Sequence, residues 1–314
     1  MSVLPSECRK HRETAPFIFL FGPTGVGKTA LLEQLFTTGY EVVNADSKQV
    51  YRYLDIGSAK PEPEILQHIP HHLIDIKEPW EQFSVGEFVH RADAACEDII
   101  LRGQTPIICG GTAYYFKHFY YGLPKSPKSD PVIRDRIAQQ TRIKGLVWAY
   151  ERLQKIDPVS AEKIHPADGY RITRALEVFE TSGKPLSSFT LPTEAREGVN
   201  PVIIGLHRDR SELQKRLEQR VSSMFSRGLE QEVAALKARG ATEDWPGMQG
   251  IGYKEFFIAE KHPEMNSDDI AQLIVHNSRL YAKRQMTFFK SLPNVHWVHP
   301  ENISLIQSLV NQAL

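Results

Sequence analysis

Cysteine is scarce. The 314 residues hold three, at Cys8, Cys96 and Cys109. Three scattered thiols cannot build a disulfide framework or a zinc knot. That usage fits a reducing compartment, and a cytoplasmic location is expected. Cys109 lies in an apolar run and reads as a buried thiol. An excess of either charge is also missing, since Lys+Arg and Asp+Glu number 38 each. A nucleic-acid partner would therefore need a local basic surface rather than a global field. The longest apolar runs are of strand length, too short to span a membrane. The first fourteen residues are polar and lack the apolar core of a signal peptide. There is no internal repeat and no low-complexity tract. Histidines at metal-ligand spacing are absent too: His71 and His72 are adjacent and point to opposite faces of an extended segment. Trp80, Trp148, Trp245 and Trp297 read as packing residues.

What is present is a phosphate loop in its proper setting. Phe17-Ile18-Phe19-Leu20-Phe21 reads as a buried strand, and Ala30 to Leu35 as the helix that follows. Between them stands Gly22-Pro23-Thr24-Gly25-Val26-Gly27-Lys28-Thr29, the G-x-x-x-x-G-K-[ST] pattern. Its glycines let successive N–H groups point into one concavity, and the helix N-terminus adds a positive dipole end. Lys28 would neutralise phosphate charge, and the Thr29 hydroxyl would ligate Mg²⁺. The chain is expected to grip a di- or triphosphate.

Around this loop, strands and helices alternate. Glu41–Ala45 is a predicted strand ending at Asp46, and His72–Ile76 a short extended piece. A helix follows Ser84, with Ser84 and Glu87 as a capping box. Thr105–Cys109 is a buried strand running into Gly110-Gly111-Thr112 and an aromatic helix, Tyr114–Tyr121. Residues 125–190 hold charged helices without a buried strand. Pro201–Leu206 returns to the sheet. A long helix capped by Ser211 runs to about Ala238, with Gly228 as a point where it breaks or bends. A last helix spans Ser267–Ser291, and Val295–Val298 is a final strand. The pattern predicts an α/β fold, a P-loop NTPase-like doubly wound parallel sheet with a mainly helical insertion. The expected core is discontinuous, 15–124 and 200–314, with the insertion at 125–190. Ligands of such sheets bind at the carboxyl ends of the strands.

Two further features carry chemistry. Asp46 follows the second strand, where it suits a group aimed at an acceptor rather than at metal; the bland alternative is a cap on the next turn. In the last helix, Arg279, Lys283 and Lys290 share one face beside Phe288 and Phe289. Such a stripe suits phosphate contact with aromatics available to stack on a base, and equally a solvated face over a core pair.

Several motifs together resemble those of the tRNA dimethylallyltransferase family: Gly22–Thr29, Asn44-Ala45-Asp46-Ser47-x-Gln49-Val50-Tyr51, Gly57-Ser58-Ala59-Lys60-Pro61 and His71-His72-Leu73-Ile74-Asp75. Gly110-Gly111-Thr112, Arg171-Ile172-x-Arg174-Ala175-Leu176-Glu177, Ile251-Gly252-Tyr253-Lys254-Glu255 and Ala282-Lys283-Arg284-Gln285-x-Thr287 extend the match in family order. The Ala113-Tyr114 pair departs from the commoner Gly-Leu after the threonine. The resemblance implies transfer of a five-carbon group from dimethylallyl diphosphate to N6 of the adenine just 3′ of a tRNA anticodon, with Mg²⁺ as cofactor. It implies Asp46 as general base, Thr24 on the bridging oxygen that leaves, and Arg220 on the diphosphate. On helix geometry Arg220 lies about 60° off the apolar stripe through Leu217 and can point inward. The family pattern assigns tRNA contact to Asp46, Ser47, Lys48, Gln49 and Thr112. It does so also for Tyr170–Arg174 (with Arg171 and Arg174), for Gln249, Gly252, Tyr253 and Lys254, and for Lys283, Arg284, Gln285 and Lys290. A monomer is expected. The rival readings are a prenyltransferase acting on free AMP, a small-molecule kinase and a non-catalytic RNA-binding protein.

Overall fold

A computed structural model describes residues 16–312; Cys8 and the polar first fourteen residues lie outside them. The chain opens with β1 (Phe17–Phe21), α1 (Lys28–Leu35), β2 (Tyr40–Asn44), α2 (Pro63–His68), β3 (His71–His72), α3 (Val85–Leu101), β4 (Thr105–Gly110) and α4 (Ala113–Tyr121). Next come α5 (Pro131–Lys144), α6 (Leu146–Ile156), α7 (Pro158–Lys163) and α8 (Gly169–Ser182). The chain then returns through β5 (Pro201–Leu206), α9 (Arg210–Ser226), α10 (Leu229–Ala238), α11 (Lys254–Glu260), α12 (Ser267–Phe289), β6 (His296–Val298) and α13 (Ile303–Asn311). The chain divides into two compact units: one holds the described residues up to Tyr120 and from Ala195 onward, the other Tyr121–Glu194.

The first unit is built on an all-parallel sheet with the order β3-β2-β4-β1-β5-β6. Every residue of β1 is buried, as a central parallel strand requires. Its alternate side chains serve two cores. Ile18 and Leu20 pack with Leu31, Leu32, Ile306 and Val310 of α1 and α13. Phe17, Phe19 and Phe21 face Phe116, Phe119 and Phe289 in an aromatic layer. The chain leaves β1 toward β2 on one side, and leaves β4 toward β5 on the other. Since β1 and β4 are neighbours, their carboxyl ends form the topological switch point where such sheets bind ligands. The second unit has its own core, Ile137, Leu153, Ile164, Ile172 and Leu176 among its members.

Four local expectations are corrected. The segment after His72 is not extended, because Leu73 and Asp75 adopt positive φ (66° and 54°). Lys60 holds those bends by bonding Asp55 and Asp75 at 2.5 Å each. Ser84 accepts from Glu87 N–H, but Glu87 pairs with Arg91 and Lys77 instead of closing the box. The cap of α9 is Asp209, not Ser211, and the helix ends at Ser226; Gly228, at φ 97°, starts α10 separately. Phe289 is no surface ring. It is fully buried and stacks on Phe21 at 4.2 Å with 2° between the planes. Of the two adjacent phenylalanines, only Phe288 stays at the surface, half-buried beneath Lys117.

Phe289→Ala should therefore lower unfolding stability by about 3–5 kcal/mol in urea titration. A variant of unchanged stability would mean that Phe289 does not anchor α12 to the sheet.

Candidate active site

The carboxyl ends of β1, β2 and β4 open on a cavity of about 790 Å³. The phosphate loop forms one wall. Asp46–Gln49, Gly57–Ala59 and Gln249–Gly252 form another. Arg216 and Arg220 of α9 and Tyr281, Arg284 and Gln285 of α12 complete it. These strands can converge here because Gly110 has no side chain: a Cβ there would lie 2.2 Å from the Ala45 carbonyl oxygen. At the loop, Gly27 takes φ 109° and caps α1, a conformation that favours glycine.

On the phosphate side, Lys28 Nζ donates to the carbonyls of Gly22 and Pro23 at 2.9 and 3.1 Å. Burial lowers the pKa of Lys28 to about 8, against the opposing pull of Cys109 and Asp46. Arg220 lies in the same field: burial lowers its pKa and Asp46 raises it. Thr29 is exposed to the cavity, as is Glu33 one turn further along α1. A hydroxyl and a carboxylate in the cavity lining are oxygen donors, the kind that Mg²⁺ prefers to share with phosphate and water.

On the facing side, Asp46 makes the turn cap that its position suggested. Its Oδ1 accepts the Lys48 N–H at 2.8 Å and so caps the turn. Among the described residues no donor is bonded to Oδ2. Thr112 fixes this corner. It donates its N–H to Ala45 O and accepts the Ser47 N–H, both at 3.0 Å. Tyr281 stands beside Thr112 and Gln285; burial, then the Asp46 charge, push its phenol up to about 12. The two sides meet at Gln285. Its Oε1 accepts the Thr24 N–H at 3.0 Å, and its Nε2 donates to Gly111 O at 2.7 Å.

Some residues expected at an RNA surface are turned inward. Gln285 is buried and committed to the bridge just described. Tyr253 is fully buried; its hydroxyl donates to Glu232 and accepts the Ser58 N–H. It shapes the Gly57–Ala59 wall from behind and cannot present its ring to RNA. Lys48 Nζ bonds the Pro246 carbonyl at 2.8 Å, and burial lowers its pKa to about 8. Gln49 donates to Ala59 O at 3.0 Å, and the Gly252 N–H is held by Glu255. Gln249 and Arg284 are exposed and Lys254 half-buried, and all three line the cavity. Lys283 and Lys290 are exposed on α12. In the second unit Arg171 is largely exposed and pairs with Asp168, whereas Arg174 bonds Pro127 O and pairs with Glu177. Sequence reasoning missed Tyr281 and Arg216 as lining residues. Each lies four residues before a residue already singled out, Gln285 and Arg220, so helix spacing was the available signal.

The family profile described as IPP transferase matches residues 49–292. A tRNA dimethylallyltransferase of Borrelia hermsii is 40% identical over 285 residues, 91% of this chain and 94% of that protein. One from Geobacter sulfurreducens is 39% identical over 295 residues, 93% of this chain and 94% of that protein. Among solved structures, the full-length tRNA isopentenylpyrophosphate transferase of Bacillus halodurans aligns with TM-score 0.66 and 33% identity, covering 95% of this chain and 97% of that one. A eukaryotic dimethylallyltransferase acting on tRNA aligns with TM-score 0.75 and 28% identity, covering 95% of this chain and 77% of that one.

The Lys28 value carries a sign. In the free protein its ammonium is present below about pH 8 and is lost above it. Affinity for a prenyl diphosphate, itself fully ionised there, should fall as pH rises from 7 to 9.5, by up to about tenfold per unit. Lys48→Met, which removes the other lysine held near that value, should leave this fall in place. Titration calorimetry without acceptor would measure it; a flat profile would mean that Lys28 does not hold the diphosphate as an ammonium.

With the family profile matched over residues 49–292 and relatives about 40% identical over nine-tenths of its length, the chain belongs to the IPP transferase family.

Proposed function

We propose that this chain transfers the dimethylallyl group of dimethylallyl diphosphate to N6 of the adenosine immediately 3′ of a tRNA anticodon, position 37. The reading rests on one observation above all. A diphosphate cradle and the uncommitted Oδ2 of Asp46 open into the same cavity.

The bond from the allylic carbon to the bridging oxygen breaks, and a bond from that carbon to N6 forms. The diphosphate leaves with the electron pair, so negative charge grows at the phosphate loop. The loop N–H groups, Lys28 and Arg220 are suited to receive it, and such preorganised charge is commonly the largest catalytic contribution. Thr24 would donate its hydroxyl to the bridging oxygen. Mg²⁺, held through Thr29 and the phosphates, would add Lewis-acid stabilisation of the departing group. The N6 lone pair is delocalised into the adenine ring, which makes the amine a poor nucleophile. Asp46 Oδ2 would take the N6 proton as the new bond forms, worth about 10²–10⁴-fold. Lys48 N–H on Oδ1 fixes the carboxylate for this. Thr112, bound to the Ser47 N–H, holds the corner at which the adenine would lie.

An anticodon-loop base is already unpaired, so drawing it into the cavity costs a few kcal/mol at most. Arg284 at the mouth and Lys283 and Lys290 along α12 would meet phosphates. The helical unit, with Arg171 exposed on α8, would help hold the tRNA.

Asp46→Asn keeps the Oδ1 acceptor and removes the base. With an anticodon stem-loop as acceptor, single-turnover transfer should slow by about 10²–10⁴-fold. Equilibrium binding of both substrates should stay within a few-fold of wild type. Transfer at the wild-type rate would remove Asp46 from the chemistry.

A further inference from the structure

A phosphate loop works only if its peptide planes are turned so that N–H groups face the ligand. Its carbonyls must then face away from the ligand, and a carbonyl buried without a partner costs free energy. In this chain two arginines meet those carbonyls: Arg208 stands outside the cavity, whereas Arg216 also lines it. Arg208 Nε donates to Val26 O at 2.9 Å, and Arg216 Nε to Gly25 O at 2.8 Å. The Nη2 atoms of both converge over Gly27, 3.7 and 3.6 Å from where a Cβ would stand.

Neither arginine is an ordinary surface cation. The Arg208 side chain is 6% exposed. Glu212, His299 and Glu301 present ligand atoms within 4.8 Å of one another, as a metal site would. They converge instead on the Arg208 guanidinium. Its Nη1 bonds Glu212, lies 3.0 Å from Glu301 Oε1 and reaches His299 Nε2 at 3.5 Å. The cluster thus locks one loop carbonyl to β6's following turn and to the start of α9. Arg216 sits two turns into α9 and one turn before Arg220. One helix therefore carries an arginine that binds a loop carbonyl and, one turn on, Arg220.

We propose that Arg208 and Arg216 are positioning residues for the donor: by binding Val26 O and Gly25 O they hold the loop N–H groups aimed into the cavity and keep them in register with Arg220. The proposal rests on the reading of this loop as the diphosphate site. Neither arginine is assigned a contact with substrate.

The test uses the full chain, with dimethylallyl diphosphate and a tRNA anticodon stem-loop. Arg216→Ala should raise Kd and KM for the diphosphate by about 10–100-fold, the scale of losing a well-aimed hydrogen bond to a charged group. KM for the RNA should stay within about threefold of wild type. Arg216→Lys, which restores a single donor, should recover part of the donor affinity. Because Arg216 also lines the cavity, Glu301→Gln, which loosens Arg208 from outside it, separates positioning from direct contact, serves if Arg216→Ala does not fold, and should show the same donor-selective loss in smaller measure. Unchanged donor affinity in the folded variants would overturn the proposal. So would equal losses for donor and RNA together with a lowered melting temperature, since that is the signature of general destabilisation. A wild-type chain that binds the diphosphate but leaves the RNA unmodified would count against the functional reading and leave the donor-affinity comparison still decisive for the arginines.

Discussion

One carboxamide joins the two halves of the cavity. Gln285 accepts from the phosphate loop with one atom and donates to the end of β4 with the other. A buried amide with both ends satisfied is stabilising, whereas one with a single end lost leaves a costly orphan. The bridge thus holds Thr24 and Gly111, which come from loops leaving adjacent strands in opposite directions, at a fixed spacing. What keeps Gln285 in place is one turn further along α12, where Phe289 stacks on Phe21 at the end of β1. A packing contact sets the helix, the helix sets the amide, and the amide sets the distance across which a group would be passed.

Charge is arranged with the same economy. Asp46, Lys28 and Arg220 feel one another across the cavity, with the carboxylate supporting both cations against their burial. That support is in place before any ligand arrives, the kind of preorganised charge that stabilises a leaving anion with little reorganisation. The Asp46 carboxylate is divided between its two oxygens, one committed to the backbone at Lys48 and one facing the cavity. A residue that caps a turn is held more firmly than one that does not, so the structural use would reinforce the chemical use proposed for it.

Much of this was legible in the sequence, because the determinants were local. The apolar run before Gly22, the loop and the start of α1 are contiguous, and so are β2 and Asp46. The residues that were misread are those decided by contacts distant in sequence. Phe288 and Phe289 differ only in helical phase, and nothing nearby tells which one meets Phe21, more than 260 residues earlier. Gln285 and Tyr253 lie in motifs that suggest contact with RNA, yet Thr24 and Gly111 claim the first and Glu232 the second. The bend after His72 depends on Lys60 reaching Asp75, a pairing that no periodicity reveals. Arg216 stood at helix spacing from Arg220, but the loop carbonyl that it meets leaves no mark in the sequence.

The most direct test of the account is a transfer assay. The purified chain with Mg²⁺ and labelled dimethylallyl diphosphate would be offered unmodified tRNA, AMP and ATP in separate reactions. The account predicts label in tRNA alone, mapped to the adenosine just 3′ of the anticodon. Label in AMP, or ATP consumed with no label transferred, would contradict it.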